Sequence, residues 1–289
     1  MAYNFIGIAA VLFVPTLVVA ARLKYTRRKE RENIKTGLEL MGLIKQVIVL
    51  TQQHRGTSNA YRQGSYSQKS TLLDLQTRLD ALIAEGNYKN LAYFPQWESF
   101  TEHWPRLKQY VLSDDDYSQN IMRQHNMMIE GQLSLFDDLT RYYNLHTVML
   151  DNVTRVSELC LDTLRTVETI GQARAIGTGM CAKGVNGGVD SIALNFLKLS
   201  LTSSAAELCN TLPTIKNSEL AATLTRSASN IIESSQHLVT TIESQVLVEG
   251  PISLDSKKYF DLATSSIDEL LTVFTAVEDY ALKNFTAEN

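Results

Sequence analysis

The sequence predicts an all-α protein: two four-helix bundles sharing a long connecting helix, preceded by one transmembrane helix. Three observations carry this. Apolar residues recur at three- and four-residue steps along most of the chain, the mark of amphipathic helices. Sustained apolar/polar alternation is missing, and the five prolines and scattered glycines supply few hairpin signals. A first run of helices ends near residue 150 and a second starts at Asp151. The chain therefore divides into 1–22, a basic linker 23–34, and a helical domain 35–285 with sub-bundles 35–150 and 151–285.

From Met1 to Ala21 no side chain is charged, and Phe5 to Ala21 is apolar except for Thr16. At ~1.5 Å per residue such a run approaches the ~30 Å hydrocarbon core and reads as a transmembrane helix, with Pro15 as a potential kink. Arg22, Lys24, Arg27, Arg28, Lys29 and Arg31 follow it. The positive-inside rule places the amino terminus outside and the domain in the cytoplasm. A cleaved signal peptide ending near Ala20 is the competing reading, and it lacks the positive leading region such signals carry.

The first domain helix is expected from Glu32 to Gly64, with Ile34, Leu38, Met41, Ile44 and Ile48 on one face. Beyond Leu50 it turns polar but keeps its period. A second helix spans Ser67 to Ala84, and Pro95 opens a third in which Trp97 and Trp104, seven apart, read as core. Ser113 and the acids Asp114, Asp115 and Asp116 suit the start of a fourth helix, Tyr117 to Leu145. Asp151 is expected to start the long fifth helix, which ends at the glycine cluster beginning with Gly184. Asp190–Thr211, Asn217–Val248 and Leu254–Phe285 follow, with Pro213 and Pro251 at the breaks.

Composition narrows the function. A formal charge of −4 lacks the basic footprint of nucleic-acid binding, so no nucleic-acid partner is expected. Cys160, Cys181 and Cys209 are odd in number and widely spaced, as reduced thiols are. The five histidines show no metal-ligand spacing and no hydrolase motif occurs, so neither a metal, a cofactor nor an enzyme activity is expected.

Two arginine-bearing segments stand out. Cys160, Val167, Arg174 and Cys181 recur every seven residues, so an arginine occupies a core position on the apolar stripe, which is expensive unless it is paired. No acid occurs between Glu168 and Asp190. Met41, Ile48, Arg55 and Arg62 form a similar line, in a window free of acids between Glu39 and Asp74. Guanidinium offers fixed donors that match two oxygens of a planar oxyanion. Arg55, Arg62 and Arg174 are therefore candidate anion ligands, with Ser58, Thr57, Gln172 and Thr178 as neutral donors. Gly171, Gly177 and Gly179, each weakening the helix by about 1 kcal/mol, suggest close helix approach or backbone access to a ligand. The alternative is that the arginines pair with acids of other helices, such as Glu168, Asp162 or Glu130.

At these residues the sequence resembles the nitrate- and nitrite-sensing (NIT) domain family. Gln53-His54-Arg55-Gly56-Thr57-Ser58 resembles its Arg-Gly-x-Ser motif, and Gly171-Gln172-Ala173-Arg174-Ala175-Ile176-Gly177 its Gly-Gln-x-Arg-Ala-x-Gly motif. The stretch Tyr259 to Leu270 is similar to the family's closing helix. His54 and Ala173 depart from the Glu that members often carry before the arginines. The resemblance covers roughly Lys35 to Tyr280. It implies two helical bundles that hold nitrate or nitrite on arginines, with Arg55, Arg62, Arg174, Ser58, Gly171, Gln172 and Gly177 as the ligand-binding set. The expected whole is a single-pass protein of a bacterial inner membrane that senses the anion in the cytoplasm and signals through a homodimer or a partner protein. A membrane-tethered helical scaffold without a small ligand is the alternative.

Overall fold

The structure, a computed structural model, describes residues 3–62, 66–113 and 118–286, with side chains described for 18–62, 66–113 and 120–286. Eight α-helices account for it: α1 (Tyr3–Arg62), α2 (Lys69–Tyr88), α3 (Pro95–Leu112), α4 (Ser118–Tyr142), α5 (Val156–Lys183), α6 (Gly188–Thr211), α7 (Ala221–Thr241) and α8 (Ser256–Thr286). The described residues include no strand, only one isolated bridge between Met149 and Arg155.

Helices α1 to α4 form one bundle, with α2 and α4 against α1 and α3 against α4. Helices α5 to α8 form the other, built on the extensive α5–α8 contact with α6 and α7 closing the far side. The bundles meet where α1 and α4 lie against α5 and α1 against α8. The link is thus shared between α1 and α5, whereas the sequence assigned it to the fifth helix alone. Burial along α1 begins at Ile34, one residue before the expected domain boundary. The predicted transmembrane segment 1–22 lies mostly outside the residues whose side chains are described, and Val18 to Arg22 are exposed. Among the described residues no helix is long and apolar enough to cross a membrane.

Two charged contacts dock α1 on the second bundle. Lys45 Nζ lies 2.6 Å from Glu278 Oε2 and 4.7 Å from the Phe274 ring centre. Gly42 permits this, because a Cβ there would collide with the Glu278 carboxylate. The other contact, Arg55 with Glu168, belongs to the site below.

Helix boundaries depart from expectation chiefly at Asp151. It does not start α5. Its Oδ1 accepts the backbone N–H groups of Val153 and Thr154 at 2.9 and 2.7 Å, and its Oδ2 that of Lys216 at 2.9 Å. These three donors hold the carboxyl down at about 2. A short acidic side chain competes for local backbone donors, so the chain turns here and ties the α4–α5 connection to the α6–α7 turn. Helix α5 ends as expected at Gly184, at φ 68°, a left-handed cap that glycine adopts without strain.

Candidate functional site

Arg55 on α1 and Glu168 on α5 form a buried ion pair across the seam between the bundles. Nη1 meets Oε1 at 2.6 Å and Nη2 meets Oε2 at 3.2 Å, so the fork engages both oxygens. The Glu168 carboxylate also accepts Gln52 Nε2 and Gln172 Nε2, each at 2.8 Å. Arg55 Nη1 reaches Asn126 Oδ1 at 2.7 Å. A charge pair at 0% and 7% side-chain exposure is tolerable only when hydrogen bonds satisfy its remaining lone pairs, and the Gln52 and Gln172 amides do so for Glu168, while Arg55 Nε is left without a partner among the described residues. Gly171 makes the approach feasible, since a Cβ there would stand 2.8 Å from Arg55 Nη2.

Two of the candidate ligands, Arg55 and Gln172, are therefore engaged with a carboxylate of the protein, and a third, Gly171, makes room for the pair. The acid-free windows did not leave Arg55 uncompensated, because its partner comes from another helix.

Arg174 is different. It is 4% exposed, and among the described residues it has no ion-pair partner within bonding distance. Nη1 donates to Thr264 Oγ1 at 2.9 Å, and the guanidinium lies 4.8 Å from the Phe260 ring centre, a cation–π distance. Its Nε is buried without a hydrogen-bond partner, as is the nearby Thr178 Oγ1. Burial first, and then the charge of Arg55, push the Arg174 pKa down to about 10, against weaker support from Asp268 and Glu168. Two cations are thus held close in a desolvated region that contains one fully engaged carboxylate.

Arg174 lines a cavity of about 580 Å³ between α1, α2, α5 and the start of α8. Gly56, Thr57, Thr178, Phe260 and Thr264 also line it, with Asp74, Arg78, Lys257 and Asp261 among the charged residues of its wall. The lining is mostly neutral hydroxyls, amides and small residues around one buried cation. Such a site can take a small anion by hydrogen bonds and charge together.

The other candidates fall elsewhere. Arg62 donates to the Ser113 carbonyl at the end of α3 and is not among the residues lining the cavity. Ser58 is buried against His54, with Oγ 3.4 Å from Nδ1. Gly177 faces Tyr259, whose ring packs where a Cβ would be and whose hydroxyl donates to the Ala173 carbonyl at 3.0 Å. Gly177 therefore serves the α5–α8 contact.

Sequence reasoning passed over a histidine relay beside Arg55. His54 Nδ1 is 2.7 Å from His125 Nε2, His125 Nδ1 is 2.7 Å from the Ile121 carbonyl, and Gln76 Nε2 is 3.2 Å from His54 Nε2. One neutral assignment satisfies every contact: Gln76 donates to His54, His54 to His125, and His125 to the carbonyl. Burial first, then the charges of His125 and Lys108, drive the His54 pKa well below its ordinary value, and burial first, against the Ile121 hydrogen bond and helped by the charges of Arg55 and His103, brings that of His125 to about 3. The sole clue in sequence was that His125 lies one helical turn from Ile121 on an apolar face.

These shifts give a sign. Both histidines are neutral when folded and titrate near 6.5 when unfolded, so protons bind the unfolded chain preferentially. Stability is fully present above about pH 6.5 and is lost as pH falls below it, by up to ~1.4 kcal/mol per pH unit for each ring, the His125 contribution running down to about pH 3. Urea midpoints measured from neutral to acidic pH should fall accordingly, and His125→Gln should flatten part of the slope. An unchanged slope in that variant would show that His125 is not the group taking up the proton.

No protein-family model matches the chain, and neither does any curated protein. Among solved structures the chain is similar to one described as the structure of the NasR transcription antiterminator. The TM-score is 0.60 at 14% identity, over 94% of this chain and 74% of that one. That likeness establishes a shared all-α fold.

Proposed function

We propose that the chain is a sensor that binds a small planar oxyanion, nitrate or nitrite, at Arg174, and that its apolar N-terminal segment anchors it to a membrane. One observation carries the reading: a buried guanidinium without an ion-pair partner among the described residues, its Nε unbonded, at the wall of a cavity of hydroxyls and amides. An oxyanion there would accept the free donor, offset the desolvation of Arg174 and reduce its repulsion with Arg55. The resemblance of the two arginine motifs to nitrate- and nitrite-sensing domains supports the choice of ligand. A regulatory role accords with the structural neighbour being a transcription antiterminator.

Arg174 sits on α5 while Phe260 and Thr264 sit on α8, and Gly56 and Thr57 on α1. An anion held among them favours the arrangement in which these three helices converge, and it changes the population of that state only by binding it more tightly than the alternative. The signal would leave through a homodimer or a partner protein.

The test is thermal unfolding of the full chain, in a mild detergent, with nitrate or nitrite against chloride or sulfate. A saturating ligand at about a hundred times its Kd adds ~2.7 kcal/mol, a rise of several degrees for a domain of this size. Arg174→Ala should fold and lose the nitrate-specific rise. Equal midpoints for the parent in all four salts reject the proposal. That result would favour the alternative, a membrane-tethered helical scaffold.

A further inference from the structure

Helix α6 is apolar on two opposite faces. Leu194, Leu197, Leu201 and Leu208 are buried against α5 and α7. On the other side Val189, Ile192, Phe196 and Leu199 are 81%, 75%, 68% and 59% exposed. Their spacing of three, four and three residues draws one straight seam along the helix. A helix hydrophobic all round belongs in an interior, and this one leaves one of its two apolar faces in solvent. The four side chains offer on the order of 500 Å² per copy, so two such faces together approach the ~1,000–1,200 Å² at which specific interfaces begin.

The charges around the seam select the occupant. Within it, from Val189 to Ser203, no charged side chain points outward along the line. Lys198 turns to Glu243 on the neighbouring turn after α7, at 2.7 Å, and Asp190 lies toward Lys183 at 3.7 Å. A seam without cations on its flanks is unsuited to an anionic lipid surface. One without charges of either sign can face its own copy free of like-charge repulsion.

We infer that the outer face of α6 is seated on the same face of a second copy of this chain, the two helices antiparallel. Val189 then packs against the partner's Leu199 and Ile192 against the partner's Phe196, the cross-pairing that a two-fold axis between these turns imposes. Small residues at Ser200 and Ser203 leave room for the ends of the cluster, and Glu207, on the same face, falls beyond the overlap in the solvated rim. Antiparallel helices also oppose their dipoles favourably. This inference is independent of the anion at Arg174 and names the surface through which a homodimer would form.

Disulfide trapping of the full chain tests it, with a mild oxidant and non-reducing gels. The native thiols Cys160, Cys181 and Cys209 are buried, so the parent supplies the background. Co-expressed Val189→Cys and Leu199→Cys chains should give a linked dimer, while either alone should give little, since its own copy lies too far along the axis. Adding Phe196→Glu to both chains should cut the linked yield more than about tenfold. Ile192→Lys, one turn away, should do the same, and circular dichroism should show unchanged helix content in both. A mixture that does not link overturns the proposal. So does equal linking by each single variant, which would mean parallel helices, or a yield insensitive to Phe196→Glu and Ile192→Lys.

Discussion

Glu168→Ala is expected to lower the stability of the fold by about 3–5 kcal/mol, the cost of leaving a buried charge without its partner. Arg55 cannot swing to water, because its side chain is fully buried. Gln52 and Gln172 lose the oxygens they donate to, so the buried Gln52 amide and the half-buried Gln172 amide are left without that partner. Urea denaturation of the parent and the variant measures the loss from the shift in midpoint. Arg55→Met combined with Glu168→Leu separates pairing from packing. Buried ion pairs replaced by apolar residues of similar size are often neutral or better, so the double variant should recover most of what Glu168→Ala loses. A Glu168→Ala midpoint within about 0.5 kcal/mol of the parent, the range of ordinary surface changes, would mean that Arg55 is solvated and that the pair does not join the bundles.

The same pair shows how much of the site was legible. The heptad lines correctly marked Arg55 and Arg174 as buried arginines on apolar faces, because helical periodicity is a local property. Acid-free windows measured along the chain could not show the partner, since Arg55 and Glu168 are 113 residues apart and meet only when α1 docks on α5. Glu168, at the edge of one window beside the buried Val167, is among the acids of other helices that the sequence offers the arginines as partners, and it is the one that Arg55 meets. Arg62 continues the heptad line of Arg55 and yet serves the end of α3, because α1 has by then passed the seam. Asp151 had the residue type of a helix cap, but its Oδ2 is taken by Lys216, 65 residues on. The all-α class, the Pro95 start and the Gly184 end were readable because each rests on backbone chemistry within a few residues. Sharing of the link between α1 and α5 was not, since it depends on which faces meet.

Tyr259→Ala should cost about 3–5 kcal/mol, the range for removing a large buried aromatic, and it acts at the interface with the most at stake. Tyr259 is fully buried, fills the space that Gly177 leaves on α5, and binds the Ala173 carbonyl from α8. Gly177→Ala approaches the same contact from the other helix. Alanine would gain up to about 1 kcal/mol of helix propensity, but its methyl would collide with a rigid ring, and overpacking of about 1–3 kcal/mol outweighs that gain. With Tyr259 already removed, the methyl enters a cavity and the propensity term alone remains. The double variant should therefore be no less stable than Tyr259→Ala, and the two changes should be non-additive by more than about 1 kcal/mol in a double-mutant cycle. Simple additivity would show that the Gly177 surface does not hold the Tyr259 ring, and the α5–α8 register that carries Arg174 to Thr264 would need another cause.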